Sequence, residues 1–134
     1  MPRVLIPLAH GCEELEAVTL IDLLRRAGIG VVTASLEPGI VECSRGTRLV
    51  ADLTLDEVLG EDFDMIVLPG GLPGSSNLDA DARIHRLLAR HHSEDRYIAA
   101  ICAAPKVLAN AGLLHGKSAT AYPGSINMRD FPEV

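Results

Sequence analysis

The sequence predicts an α/β fold in which a doubly wound parallel sheet of the flavodoxin-like type is covered by helices on both faces. Two observations lead to this prediction. Short apolar runs lack the polar alternation of half-exposed strands, which is typical of strands buried on both faces. Stretches with helical apolar spacing alternate with these runs, and no repeat or low-complexity segment interrupts them. A length of 134 residues suits a single domain, residues 1–134.

The first strand–helix–strand unit is the clearest part of the pattern. Residues 4–9 form an unbroken apolar run and predict a strand. Residues 13–27 carry apolar side chains at helical spacing and end before Gly28, which suits a helix C-terminus. Residues 31–36 are rich in β-branched side chains and predict the second strand. A crossover of this kind is almost always parallel and right-handed.

The rest of the chain continues the alternation. Residues 37–52 alternate weakly around two glycines and predict a hairpin or an edge excursion. Thr54 and Glu57 form a capping-box pattern that predicts a short helix ending near Gly60. The further predicted elements are a strand at 65–68, a helix with the apolar stripe Ala80, Ile84, Leu87, Leu88 and His91, a strand at 97–101, a helix at 104–111 and a last strand at 118–122.

Composition argues against several classes of partner. The net charge is −6 and the longest basic cluster is the pair Arg25-Arg26, so a nucleic-acid backbone would repel the chain. No stretch approaches the roughly 20 apolar residues of a membrane span, and the first residues lack a signal-peptide pattern. We therefore expect no membrane partner and a cytoplasmic location. Three cysteines without a C-x-x-C pair indicate free thiols rather than disulfides or a zinc site.

Cys102 is the sharpest chemical feature of the sequence. It follows a predicted strand and precedes two alanines and Pro105, a residue that suits the first turn of a helix. This is the layout of a nucleophile elbow, where the helix N-terminus favours the thiolate, so we expect a thiol pKa below the ordinary value. The pattern fits a small buried hydrophobic residue equally well. Gly70 and Gly71, after another strand, favour the elbow, since bare backbone N–H groups near a nucleophile form an oxyanion site.

Three acids open the first helix, Glu13, Glu14 and Glu16, and in the simplest interpretation they complement the helix dipole. Glu16 also lies beside the apolar stripe, where a partly buried carboxyl group could exchange a proton with a substrate. Periodicity does not choose among the three. His10, Cys12 and Glu14 do not converge into an obvious metal site, and nucleotide-binding glycine motifs are absent, so neither metal nor cofactor is expected.

Five motifs in order along the chain resemble the ThiJ/PfpI superfamily, most closely its branch of the parkinsonism-associated deglycase and bacterial YajL. They are EELEAV (13–18), LRRAGI (24–29), CSRG (43–46), VLPGG (67–71) and AAICAAP (99–105). The resemblance implies a flavodoxin-like homodimer whose reactive cysteine is Cys102, paired with a protonated Glu16. It also implies that the backbone N–H groups of Gly71 and Ala103 bind anions and that Arg45 lies near the partner's site.

Departures from the family pattern bear on function. The protease-named branch carries histidine directly after the cysteine, whereas this chain has Ala103, so peptidase activity is not expected. Relatives in the deglycase branch often carry histidine where Tyr122 stands, so Tyr122 takes that supporting position without an imidazole. Family members usually continue beyond the position of Val134, so we expect the domain to be incomplete at its C-terminus.

The resemblance leads to two main functional hypotheses. The first is a cofactor-free glyoxalase or deglycase acting on α-oxoaldehydes, such as methylglyoxal, or on early glycation adducts. Cys102 would attack this small carbonyl substrate, and Glu16 would relay protons towards a hydroxy acid. The alternative is a redox-responsive stress protein or chaperone that senses oxidation at Cys102 without physiological turnover. A third possibility is that the shortened chain has lost its function.

Overall fold

The computed structural model describes residues 1–134 as seven strands and five helices. The strands are β1 (Arg3–Leu8), β2 (Gly30–Ser35), β3 (Ile40–Glu42), β4 (Arg48–Val50), β5 (Leu53–Thr54), β6 (Met65–Leu68) and β7 (Tyr97–Ala100). The helices are α1 (Glu14–Arg26), α2 (Leu55–Val58), α3 (Gly74–Asp79), α4 (Ala82–Ser93) and α5 (Pro105–Asn110). Five strands form a wholly parallel sheet in the order β5-β2-β1-β6-β7, which confirms the predicted fold class.

The central strand β1 is buried on both faces of this sheet. Its residues Val4, Ile6 and Leu8 pack into one hydrophobic cluster together with Ala17 of α1. Leu5 points to the other face and packs into a second cluster. That second cluster draws on α2 to α5 through Leu55, Leu78, Ile84, Leu88 and Val107. Helices therefore cover both faces, as the unalternating apolar runs predict.

Residues 37–52 form the predicted hairpin. β3 and β4 pair in antiparallel fashion as a separate two-stranded sheet. Two backbone hydrogen bonds join the hairpin to the loop after β1: Gly11 N–H donates to Glu42 O, and Ser44 N–H donates to Cys12 O, each at 2.8 Å. The turn between β3 and β4, residues 43–47, thereby lies beside the carboxyl end of β1.

The predicted stripe from Ala80 to His91 does not lie on one helix: Ala80 is the C-cap of α3, and the other four residues of the stripe lie on α4. α3 ends before Ala80, and α4 begins after Asp81, whose carboxylate accepts a hydrogen bond from Arg83 N–H at 2.9 Å. This aspartate is an N-cap, which starts a new helix at that point. None of the five helices has the length and apolar character needed to cross a bilayer.

The prediction of a last strand at residues 118–122 is wrong. This segment is almost entirely exposed and joins neither sheet. Its small side chains bury too little apolar surface to stabilise an edge strand. It is attached instead through Tyr122, whose N–H donates to Cys102 O at 2.7 Å.

Candidate active site

The predicted site residues converge at the carboxyl edge of the parallel sheet. β1, β6 and β7 are neighbours there, and the segments that follow them contribute Glu16, the pair Gly70-Gly71 and Cys102. β1 is the point at which the strand order reverses, because β2 lies on one side and β6 on the other. Ligand sites in open parallel sheets form at this point.

Cys102 lies in a strained strand-to-helix turn. Its φ is 58°, a left-handed conformation that costs a residue with a Cβ roughly 1–2 kcal/mol. Ala104 N–H donates to Ile101 O at 3.0 Å and closes the turn, and Pro105 begins α5. The side chain is half-buried, unlike the two other cysteines, which are buried. The structure therefore contains the elbow geometry expected from the sequence.

Gly70 brings the Glu16 carboxylate against the cysteine. Its N–H donates to Glu16 Oε1 at 2.9 Å. A Cβ on Gly70 would lie 2.6 Å from Cys102 Cβ and 2.8 Å from the same carboxylate oxygen. Gly71 has a φ of 90°, and its N–H lies close enough to the Cys102 thiol to lower the thiol pKa. The backbone thus requires glycine at both positions, and Glu16 is the acid of the first helix that contacts the thiol.

Opposing influences act on the Cys102 thiol. Burial raises its pKa, and the Glu16 carboxylate raises the pKa further by hydrogen bonding to the thiol and by its charge. The N–H groups of Gly71 and Ala103 lower it by a smaller amount. The expectation of a depressed thiol pKa is therefore wrong, because α5 has only six residues and a carboxylate lies beside its N-terminus.

Arg45 is placed at the site through Glu14. The Glu14 carboxylate accepts hydrogen bonds from the N–H groups of Arg45 at 3.0 Å and Thr47 at 3.1 Å, and from Ser44 Oγ at 3.2 Å. Desolvation opposes the charge, yet hydrogen bonds from its own backbone, Thr47 and Arg45 lower the pKa of Glu14 to about 2. The 43–47 turn is consequently fixed to the first turn of α1.

A cleft of about 330 Å³ opens above the thiol. This size suits a small ligand. A larger cleft of about 460 Å³ lies between α3 and α5 and shares Leu72 and Ala103 with the first, but no cysteine lines it. The smaller cleft is therefore the candidate site. Its lining residues are Glu13, Ser44, Arg45, Gly71, Leu72, Cys102, Ala103 and Tyr122.

Sequence reasoning missed two residues of this lining, Ser44 and Leu72, and left Glu13 as one of three candidate acids. Glu13 also caps α1, because its carboxylate accepts a hydrogen bond from Glu16 N–H at 2.9 Å. The three acids of the EELE motif thus cap the helix, anchor the 43–47 turn and contact the thiol, respectively. No local pattern separates these roles, since each depends on a different partner in the folded chain.

The residues considered as metal ligands have separate partners. His10 Nδ1 accepts a hydrogen bond from Glu42 N–H at 3.2 Å, and Cys12 contacts Cys43. Glu14 is occupied by the 43–47 turn. The structure has no group of three or more histidine, cysteine, aspartate or glutamate side chains placed to hold a metal ion.

Fold and site together define the class of this protein as a flavodoxin-like α/β domain with a cysteine elbow beside a carboxylate. Residues 2–130 match the DJ-1/PfpI family, and the chain belongs to that family. The resemblance found in the motifs is thereby confirmed.

Individual relatives agree with this assignment. Protein DJ-1 homolog A of Arabidopsis thaliana is 47% identical over 122 residues, which cover 90% of this chain and 31% of that protein. Deglycase PH1704 of Pyrococcus horikoshii is 34% identical over 122 residues, or 91% of this chain and 73% of that protein. The structure of oxidized Toxoplasma gondii DJ-1 superposes with a TM-score of 0.91 at 43% identity, covering 96% of this chain and 73% of that one. The chain thus spans about a third of the plant relative's length.

Proposed function

We infer that this chain carries the site of a cofactor-free glyoxalase or deglycase that acts on α-oxoaldehydes or early glycation adducts. The inference depends on one observation: the Cys102 thiol, the Glu16 carboxylate and two backbone N–H groups meet beside one small cleft. Similarity to a relative named as a deglycase supports the same class of activity.

In the first step the Cys102 sulfur attacks the aldehyde carbon, and a hemithioacetal forms. The thiol proton passes to the Glu16 carboxylate, which already accepts its hydrogen bond. The N–H groups of Gly71 and Ala103 stabilise the oxygen that gains negative charge. Glu16 then gives the thiol proton to this oxygen, which completes the neutral hemithioacetal and restores the carboxylate. A raised thiol pKa is compatible with this step, because the proton acceptor is in contact with the thiol.

In the second step the Glu16 carboxylate removes the C–H proton of the hemithioacetal and returns it to the neighbouring carbon, while the hydroxyl proton on the former aldehyde oxygen moves to the former keto oxygen. The former aldehyde carbon is oxidised while the adjacent keto carbon is reduced, so no external oxidant or reductant is needed. Water then hydrolyses the resulting thioester, which releases a 2-hydroxy acid and restores the thiol. Acid–base catalysis of this kind contributes roughly 10²–10⁴-fold to the rate.

The proposed active form is a homodimer in which Arg45 approaches the partner's cleft. Arg45 is exposed at the cleft rim. Exposed apolar side chains on α1 and on the hairpin, Leu15, Val18 and Val50, supply surface that a second copy would cover. Tyr122 lies at the same rim and is proposed to support the bound substrate.

A redox-responsive role at Cys102 is the second candidate. The N–H groups that would stabilise an oxyanion would equally hold the oxygens of a sulfinate. The similar Toxoplasma gondii protein is described as oxidized, which supports this alternative.

Lactate formation from methylglyoxal by the purified chain tests the proposal. We expect turnover in the wild type and in Cys12→Ala, and none in Cys102→Ala. Stereospecific lactate that depends on Cys102 supports the enzyme. Oxidation at Cys102 without any Cys102-dependent lactate would instead support the redox role and overturn the enzymatic one.

A further inference from the structure

We propose that Cys12 and Cys43 form an intramolecular disulfide under hydroperoxide, as a second redox site separate from Cys102. Their sulfur atoms lie 3.7 Å apart in the reduced structure. Neither residue lines the cleft of Cys102. The proposal does not depend on the proposed enzymatic activity.

Backbone hydrogen bonds hold the two cysteines side by side. Glu42 and Ser44, the residues on either side of Cys43, both bond to the short loop that contains Cys12, each at 2.8 Å. Segments paired in this way lie about 4.8 Å apart, like adjacent strands, within the roughly 4.4–6.8 Å between Cα atoms that a disulfide spans. Closing the sulfur separation from 3.7 Å to about 2.05 Å therefore needs only a modest shift of the two side chains.

The surroundings of the pair favour a slow reaction and a persistent product. Cys12 is 0% exposed and Cys43 is 4% exposed. Burial raises the pKa of Cys12 to about 12 and also raises that of Cys43. Strongly oxidising disulfides are those whose reduced form is stabilised as a thiolate. This pair lacks that stabilisation, so its disulfide should resist reduction once formed.

The oxidation balances with one hydrogen peroxide. The Cys43 thiolate attacks a peroxide oxygen, so that an S–O bond forms, the O–O bond breaks and one water leaves after protonation. The Cys12 sulfur then attacks the Cys43 sulfur, so that the S–S bond forms, the S–O bond breaks and a second water leaves. Two thiols and one peroxide thus give one disulfide and two waters. Cys43 reacts first because it is the more exposed of the two.

The disulfide would tie the loop after β1 to the 43–47 turn. The two cysteines are 31 positions apart, so the bond closes a loop in the unfolded chain. A closed loop of this length restricts the unfolded chain enough to raise the Tm by about 5–15 °C. Ser44 and Arg45, next to the bond, line the cleft.

Peroxide treatment followed by alkylation under denaturing conditions and tryptic mass spectrometry tests the proposal. Arginine and lysine positions place each cysteine on a separate peptide: residues 4–25, 27–45 and 97–106. We expect a cross-linked pair of peptides 4–25 and 27–45, two hydrogens lighter than the separate peptides and separated by dithiothreitol. The same pair should form in Cys102→Ala, because Cys102 takes no part.

Two controls decide the matter. Oxidised Cys102→Ala should show the higher Tm, whereas a Cys12→Ala, Cys102→Ala double variant should not. A mixture of light and heavy isotope-labelled chains distinguishes bonds within one chain from bonds between chains. The proposal is overturned if peptides 4–25 and 27–45 both remain alkylated after Cys102 is fully oxidised, or if the linked peptides come from different chains.

Discussion

Two sets of sulfur atoms lie near the same edge of the sheet, and their surroundings differ. Burial raises the thiol pKa at all three cysteines. Cys12 and Cys43 are hydrogen-bonded to each other. Cys102 instead faces a carboxylate and two N–H donors in a strained turn. A low thiol pKa therefore does not distinguish Cys102 from the two other cysteines. Cys102 differs because it lies beside a group that can take its proton and beside N–H groups that can stabilise the resulting charge.

Of the substitutions described below, Glu16→Gln should have the largest effect on turnover at Cys102. We expect kcat for methylglyoxal to fall about 100-fold or more, because an amide cannot accept the thiol proton. The fold should persist, since the amide oxygen can still accept the hydrogen bond from Gly70 N–H. Steady-state kinetics and a thermal melt measure both quantities.

Asp22→Asn is the matched control for this variant, because Asp22 lies on the same helix in an exposed ion pair with Arg26 at 2.9 Å. We expect its kcat to stay within about twofold, since exposed ion pairs contribute little. Equal losses in the two variants would show that Glu16 has no specific chemical role.

Gly70→Ala should disrupt the Cys102 site sterically. The added methyl group would lie 2.6 Å from Cys102 Cβ, so we expect a loss of about 1–3 kcal/mol in the free energy of unfolding together with loss of turnover. Gly60→Ala is the control, because no atom lies within 4 Å of its Cβ position. Urea unfolding compares the two variants, and equal stability and activity would contradict the close packing around Cys102.

The rate of alkylation as a function of pH should differ between Cys102, which lies beside Glu16, and Cys12, which lies beside Cys43. Because the pKa of Cys102 is raised, its reaction with iodoacetamide should be slow at pH 7 and accelerate about tenfold per pH unit below that pKa. Glu16→Gln removes the negative charge, which lowers the thiol pKa and should speed the reaction at pH 7 about tenfold. Cys12, with a pKa of about 12, should stay unmodified at pH 9. A Cys102 rate that is flat from pH 6 to 9 would indicate a thiolate already present.

The smallest expected effect concerns backbone strain. Cys102→Gly and Cys102→Ala both remove the sulfur, but only glycine relaxes a φ of 58°. We expect the glycine variant to be more stable by about 1 kcal/mol in urea unfolding. Asp95→Gly, at a φ of 56° away from the site, should gain less, because aspartate tolerates this conformation better than most residues. Equal stability of the two Cys102 variants would mean that the turn stores no strain.

Local patterns sufficed for much of the fold. The apolar runs predict β1, β2, β6 and β7, and the strand before Pro105 predicts the turn at Cys102. The break at Asp81 was also visible in the sequence as a capping residue, but the continuous apolar stripe obscured it. The segment 118–122 shows the limit, because an edge strand needs a partner and local alternation does not supply one.

The site was less accessible to sequence reasoning. Which acid contacts Cys102 depends on Gly70, which lies 54 positions from Glu16 along the chain. The direction of the thiol pKa depends on the same contact. Neither follows from helical spacing; the family resemblance, rather than the periodicity, selected Glu16.

The anchor at Glu14 has a mechanical consequence. Because the backbone N–H groups of Arg45 and Thr47 are bonded to the Glu14 carboxylate, we expect a displacement of α1 to move the backbone of the 43–47 turn with it. With a pKa of about 2, Glu14 keeps this linkage intact in mildly acidic solution as well as at neutral pH.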